Sequence, residues 1–487
     1  MSNAAMKQEF FSIDERSRKK VIRQDRITLD PGVCFVHFES EKFEITNVSA
    51  FGCAVIANKN QFEKIQSLFA TTESIKVDIF YKDIQTQTIS IRFARAEEYI
   101  RSVIGEQVVG FEIIGEPLKV ERLKALEATS NVIEKQTKYS IELNTIPSEF
   151  KNFVYEMKDW LEKLKIEITA LEENTPVDNW KDANEYRLTI ADAVSDYLYK
   201  VFPQQYSQVP NLISKMSPEQ VKIATKFARE HVGTLVYDAP FANRAYNKPR
   251  GYAGDYEMMN HLYRDEVVGK TLFDQCMHRY LIDEPAALAV KNRGAYLAQK
   301  INDLFENTSQ KQSLKILSIA SGPAMEQQLF LQNNKNYYGR NAEFTCLDQD
   351  EESLKHAQRQ LLSMERFLQS GFNFKFNNMA IKNVIANGCP EDNYDLIYSA
   401  GLFDYFTEPV AQLAAKKMLE AVKPGGKVII GNFSKDNPTV PLMELILDWH
   451  LIYRSSNDLL RMFDGLGSKI WVEKEPLGIN LFVVIQK

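Results

Sequence analysis

The run Leu314-Lys315-Ile316-Leu317-Ser318-Ile319-Ala320-Ser321-Gly322-Pro323-Ala324-Met325-Glu326 decides how this chain is read. Its apolar first half reads as a short buried strand, the small residues after it as a tight turn, and Met325 onward as the start of a helix. A turn of small residues at a helix N-terminus lets a ligand approach the backbone closely. One glycine alone would describe any strand-to-helix turn. The next apolar run, however, ends in Cys346-Leu347-Asp348-Gln349-Asp350, which places the Asp348 carboxylate at a strand's carboxyl end, 26 positions after Gly322. A carboxylate there accepts hydrogen bonds from both ribose hydroxyls of a nucleoside. Further β-like runs at Phe372 to Phe376, Tyr394 to Ser399 and Lys427 to Asn432 alternate with helical ones, and that alternation predicts a parallel sheet covered by helices on both faces.

Upstream the texture differs. From Val33 to Ile114 short alternating runs such as Cys34-Phe35-Val36-His37-Phe38 and Ile75-Lys76-Val77-Asp78-Ile79-Phe80 are broken by turn residues, the pattern of a small β-barrel. After Pro117 helical periods take over until Lys315. Within them Phe150, Val154, Met157, Leu161, Leu164, Ile168 and Leu171 recur at steps of four and three. That stripe predicts a long helix packed on its own neighbours, with a homodimer seam over 150–171 as the alternative. The expected division is 14–118, 119–300 and 301–487.

Composition narrows the class. A chain of 487 residues is long enough for several domains, and 44% hydrophobic with 25% charged residues is ordinary for a soluble globular protein. No uninterrupted apolar run reaches the roughly 18 residues of a membrane span. A net charge of −6 argues against a general nucleic-acid binder, because phosphate neutralisation needs a clustered basic surface. The five cysteines, Cys34, Cys53, Cys276, Cys346 and Cys389, are scattered without a CxxC pair, and no secretory apolar segment opens the chain. This predicts a reduced, cytoplasmic protein with no metal centre. Ser2-Asn3-Ala4 reads as an expression scar.

From Leu314 to Lys487 the residues resemble the class I S-adenosyl-L-methionine-dependent methyltransferases. The glycine loop corresponds to that family's first motif, Asp348 to its ribose motif and Tyr394 to Phe403 to its fourth. Lys423-Pro424-Gly425-Gly426-Lys427 corresponds to the turn into the fifth strand, and Ser468 to Val472 with Asn480 to Ile485 to the antiparallel edge pair. The resemblance implies a Rossmann-like seven-stranded α/β domain. It implies a cofactor site at Ala320, Ser321, Gly322, Asp348, Gln349, Ser399 and Gly401, with Asn378, Met379 and Ala380 flanking the adenine. The usual G-x-G-x-G falls on 322–326, and the usual acid before it on Ala320.

A second segment, Asn247-Lys248-Pro249-Arg250-Gly251-Tyr252-Ala253-Gly254-Asp255-Tyr256, mixes cations, glycines and aromatics at a density that reads as a shaped ligand clamp. With Asp448 to Arg454 it resembles bacterial enzymes that make the methyl ester of 3-hydroxypalmitic acid, which implies a fatty-acid carboxylate as acceptor. A carboxylate is already ionised at neutral pH, so it needs alignment and exclusion of water rather than a base. Arg250 and Tyr252 are the expected positioning residues. A hydroxyl or amine acceptor would need a base, for which Asp255, His261 and His450 are the candidates.

Asn47-Val48-Ser49-Ala50-Phe51-Gly52 resembles the strand signature of PilZ domains, which bind cyclic di-GMP, and Val108 to Ile113 resembles their closing strand. Lys19 and Arg23 stand where that family carries an arginine clamp, and a lysine cannot supply the planar bidentate fork. The expectation is a PilZ-like barrel, a helical region and a methyltransferase domain. The rival reading is a degenerate methyltransferase fold that serves as a binding or signalling scaffold. An RNA or protein methyltransferase is disfavoured by the net acidity and the absence of a basic, aromatic-laced stretch.

Overall fold

Strict alternation of apolar and polar residues near the N-terminus gives strands with one wet and one dry face. In β2 (Cys34–Phe38) the buried side chains are Cys34, Val36 and Phe38, and in β5 (Ile75–Tyr81) they are Val77, Ile79 and Tyr81. The computed structural model describes residues 26–38, 41–98, 106–176 and 179–487. These divide into two units, one up to Ile141 and one from Glu142.

The first unit is antiparallel. It holds β1 (Ile27–Thr28), β2, β3 (Glu41–Ser49), β4 (Gly52–Ala57), β5, β6 (Ile84–Glu98) and β7 (Gln107–Ile114) in the order β1-β3-β2-β5-β6-β7-β4. A further pairing of β3 with β4 closes β2 to β7 into a six-stranded barrel around Val36, Ile45, Val55, Ile79 and Ile91. Closure leaves those strands without an open edge. Lys19 and Arg23 lie outside the described residues.

The second unit begins with helices and ends with a sheet. The periodic stripe at 150–171 lies on the helix Ser148–Glu172, and Phe150, Val154, Met157, Leu161 and Ile168 are buried in the unit's own core together with Leu198, Phe202 and Tyr280. Intramolecular packing therefore uses the stripe that a dimer seam would need; Leu171, at its end, is exposed. No helix among the described residues is long and apolar enough to cross a membrane.

The sheet contains β8 (Leu314–Ile319), β9 (Ala342–Asp348), β10 (Asn373–Asn378), β11 (Tyr394–Ser399), β12 (Val422–Phe433), β13 (Lys469–Lys474) and β14 (Asn480–Gln486), in the order β10-β9-β8-β11-β12-β14-β13. The first five are parallel, and β14 runs antiparallel between β12 and β13. Burial on both faces explains why apolar residues stand side by side in these strands, as Ile316 and Leu317 do in β8, Cys346 and Leu347 in β9, and Leu396 and Ile397 in β11. Chain order proceeds outward in both directions from β8 and β11. The crevice at their carboxyl ends is the switch point where doubly wound sheets bind ligands.

Candidate functional site

Three residues of the turn after β8 have left-handed backbone: Ala320 (φ +53°), Gly322 (φ +54°) and Ala324 (φ +52°). Left-handed backbone therefore recurs over 320–324, two positions earlier than the motif correspondence of 322–326, and Ala320 stands at a backbone position that favours glycine. An alanine held there costs about 1 kcal/mol relative to glycine. Ala320→Gly is accordingly expected to raise the melting temperature by a few degrees, read by calorimetry, since ~1 kcal/mol moves a domain of this size by roughly 2–4 °C.

Asp348 ends β9 and is 6% exposed. One carboxylate oxygen accepts the Gly322 N–H and the other the Asp350 N–H, each at 2.9 Å, so the acid braces the turn while lone pairs stay free for a ligand. Burial pushes its pKa up, against the pull of those N–H groups. The Asn378 side chain donates to the carbonyls of Asp348 and Gln349 at 3.1 Å, and the Met379 N–H donates to the Asp348 carbonyl at 3.0 Å. Ala380 caps the following helix, Ile381–Asn387.

A cavity of about 330 Å³ opens at these strand ends. One wall is Ala320, Ser321, Gly322, Asp348, Gln349 and Met379; the opposite wall is apolar, with Met259, Tyr263, Val290, Phe433, Trp449 and Leu451. Gly401 and Tyr252 also line it. Ser399 is buried in β11 with its hydroxyl unpartnered, and it is not on the cavity wall.

The clamp segment divides. The Arg250 guanidinium donates to both oxygens of Asp350 at 3.0 Å and stacks 4.7 Å from the Tyr256 ring centroid, and the Tyr252 hydroxyl donates to Asp350 at 3.3 Å. Both thus tie the segment to the residue that caps the helix Glu351–Leu368. Of the two, Tyr252 reaches the cavity. Gly254, at φ +76°, is needed for close approach: a Cβ there would meet the Trp449 ring at 3.0 Å. Asp255 caps the helix Tyr256–Arg264 and pairs with Arg244 at 2.6 Å; it lies off the cavity wall. His450 is 60% exposed and bound to Asp448, and His261 stacks edge-on to His278, both away from the cavity.

Three charged groups on the wall were not expected from sequence. Arg293, 9% exposed on the helix Pro285–Glu306, has weak partners: the Ala400 carbonyl at 3.5 Å and the Met259 sulfur at 3.6 Å. Glu326 accepts from the Tyr398 hydroxyl at 2.8 Å and from Ser318 at 3.3 Å, and burial raises its pKa. Asp404 is 2% exposed and accepts the Phe433 N–H at 2.6 Å. Burial pushes its carboxyl up to about 6, against the pull of that N–H and of Arg293 and Arg454. Arg293 was legible in principle, because it shares the apolar face of its helix with Val290 and Leu297, where a cation is costly.

In the barrel, the Asn47 side chain accepts from Arg26 at 3.2 Å, and Ser49 donates to the Gly52 carbonyl at 3.4 Å.

Residues 316–426 match the family model described as a methyltransferase domain. Solved structures similar to the chain include a possible exported protein from Bordetella parapertussis, at 15% identity over 61% of this chain and 96% of that one, with a TM-score of 0.39. They also include a magnesium protoporphyrin IX methyltransferase from Synechocystis, at 11% identity over 50% and 98%, with a TM-score of 0.34. A TehB-like SAM-dependent methyltransferase from Corynebacterium glutamicum matches at 14% identity over 42% and 96%, with a TM-score of 0.27. No curated protein matches the chain.

Proposed function

We propose that the chain, whose residues 316–426 match a methyltransferase domain, uses S-adenosyl-L-methionine to methylate an oxygen of a small, apolar carboxylic acid of the 3-hydroxy fatty acid type. One observation carries the reading: a single cavity joins the Asp348 turn to an apolar wall, with charges of both signs between them. Bound there, the cofactor would have its ribose hydroxyls donate to the remaining lone pairs of Asp348. The amino-acid end of the cofactor is a zwitterion, and Glu326 with the underpaired Arg293 offers complementary charges beside the turn. With the cofactor so held, the buried apolar lining of Met259, Val290, Phe433 and Trp449 would be left to the acceptor.

In the transfer a carboxylate oxygen forms a bond to the methyl carbon as the carbon–sulfur bond breaks, and the electron pair stays on sulfur. No proton moves. The Trp449 indole donates to the Tyr405 hydroxyl at 2.9 Å, and that hydroxyl donates to the Ala253 carbonyl at 3.3 Å, so the clamp segment and the acceptor wall are held as one piece.

A second reading rests on Asp404, a buried wall carboxylate titrating near 6, which is the pKa of a base for a hydroxyl acceptor. Methyl-labelled cofactor and straight-chain 3-hydroxy acids distinguish the two. Label released by mild alkali, with a rate flat above pH 6, is the outcome expected for the ester. Alkali-stable label with a rate rising through about pH 6, lost in Asp404→Asn, assigns the hydroxyl. No transfer to any acid defeats the acceptor class. For the barrel, the Asn47, Ser49 and Gly52 pattern supports a regulatory module responsive to cyclic di-GMP, tested by titrating the full chain with that nucleotide.

A further inference from the structure

Behind the acceptor wall lies a second, smaller cavity of about 20 Å³ that shares Val290, Phe433 and Trp449 with the first. Its remaining lining is apolar, including Leu281, Ala286, Ala287, Leu442 and Met443, apart from Glu284 and Thr439 on one side. The Thr439 hydroxyl donates to Glu284 at 3.3 Å and accepts the Ala286 N–H at 3.2 Å, so the threonine, which is the polar group most able to turn inward, is already engaged.

The backbone beside this cavity is unusual. Residues Leu442–Ile446 form a π-helical turn, closed by a bond from the Leu447 N–H to the Leu442 carbonyl at 3.1 Å. Such a turn is wider than an α-helical one, and it is frequent at functional sites. Distant side chains hold it open. Arg229 donates to the carbonyls of Leu445 at 3.0 Å and Glu444 at 2.7 Å, and the Tyr237 hydroxyl donates to that of Ile446 at 2.7 Å. An irregular wall fixed by two long-range partners is a built feature.

We infer that this annexe is a tail pocket that takes the distal end of a straight aliphatic chain whose reactive end lies in the larger cavity, and that Ala287 and Met443 set its depth. The inference rests on the larger cavity being the methyl-transfer site. The occupant is aliphatic because an apolar-lined space of this size rejects polar groups. It is a chain end because the space holds about a methyl group or a single water, too little for a whole molecule. Val290, Phe433 and Trp449 form the partition between the two cavities, so a chain end enters the annexe where these side chains part.

Ala287→Leu fills the annexe and Met443→Ala enlarges it, so the two variants pull in opposite directions and a folding failure in one leaves the other to decide. With the full chain, KM is measured for straight-chain acids from butanoate to hexadecanoate, and affinity for S-adenosyl-L-methionine is followed in parallel. Ala287→Leu is expected to raise KM at least tenfold for long acids with no change for butanoate, and Met443→Ala to move the optimum to longer chains, both at unchanged cofactor affinity. A second readout needs no turnover. Dodecanoate should change the emission of Trp449, isolated by subtracting Trp449→Phe, at a concentration at least tenfold lower in the native chain than in Ala287→Leu. If that binding difference appears without transfer, the tail pocket stands and the acid-methylating reading fails. Chain-length profiles and dodecanoate affinities equal in native chain and both variants overturn the tail pocket.

Discussion

Replacing Glu284 with glutamine is expected to stabilise the protein at pH 8 by up to about 3 kcal/mol while changing little near pH 4.5. Glu284 is 6% exposed, and burial pushes its pKa from 4.5 up to about 7, against the hydrogen bond it accepts from Thr439. The unfolded chain therefore loses this proton at lower pH than the folded one. Between pH 4.5 and about 7 the folded state holds more protons, so its stability falls as pH rises through that window and stays lowered above it. Below the window both forms are protonated and the term vanishes. Glutamine mimics the neutral acid and keeps an acceptor for Thr439. Thermal unfolding of both proteins across this range gives two curves that converge at the acid end and diverge at the alkaline end. Parallel curves would mean that Glu284 is ionised in the fold throughout.

Arg293→Met is expected to weaken S-adenosyl-L-methionine binding about a hundredfold, because the two charge-assisted hydrogen bonds that the guanidinium would give the methionine carboxylate on the proposed reading, worth roughly 3 kcal/mol together, would be lost. Methionine keeps the apolar stem packed between Val290 and Leu297. Without ligand the same variant should be no less stable than the native chain. The buried guanidinium has the Ala400 carbonyl at 3.5 Å and the Met259 sulfur at 3.6 Å as partners, and no carboxylate stands within ion-pair distance of it among the described residues. Gly401→Ala provides a second test, since its Cβ would come to 2.7 Å from the guanidinium and push it aside. The two variants should lose affinity in the same direction. Native cofactor affinity combined with lost turnover would move Arg293 to the acceptor.

The α/β half was legible because burial on both faces puts adjacent apolar residues into β8, β9 and β11, and because Asp348 at a strand's carboxyl end follows a strand with a small-residue turn. The barrel was legible from period-two alternation. The register of the small-residue turn was not: alanine at 320 and 324 hides positions that glycine would have marked, and only the backbone angles reveal them. Arg250 shows a different limit. Its segment announced a clamp, yet which carboxylate it would grip depended on Asp350, a hundred positions away. Glu326 and Asp404 were equally hidden, since a carboxylate after a strand is common and only its neighbours' burial makes it unusual. His450 and Asp255 satisfied the chemistry of a base by type, and their partners, Asp448 and Arg244, are read from the fold alone.

The most direct measurement is calorimetric titration of the full chain and of Asp348→Ala with S-adenosyl-L-methionine, with melting temperatures recorded because Asp348 also braces the Gly322 turn. The account predicts saturable one-to-one binding by the native chain and at least a tenfold loss in the variant, about 1.4 kcal/mol. Equal affinities in two folded proteins, or no binding by the native chain, would contradict it.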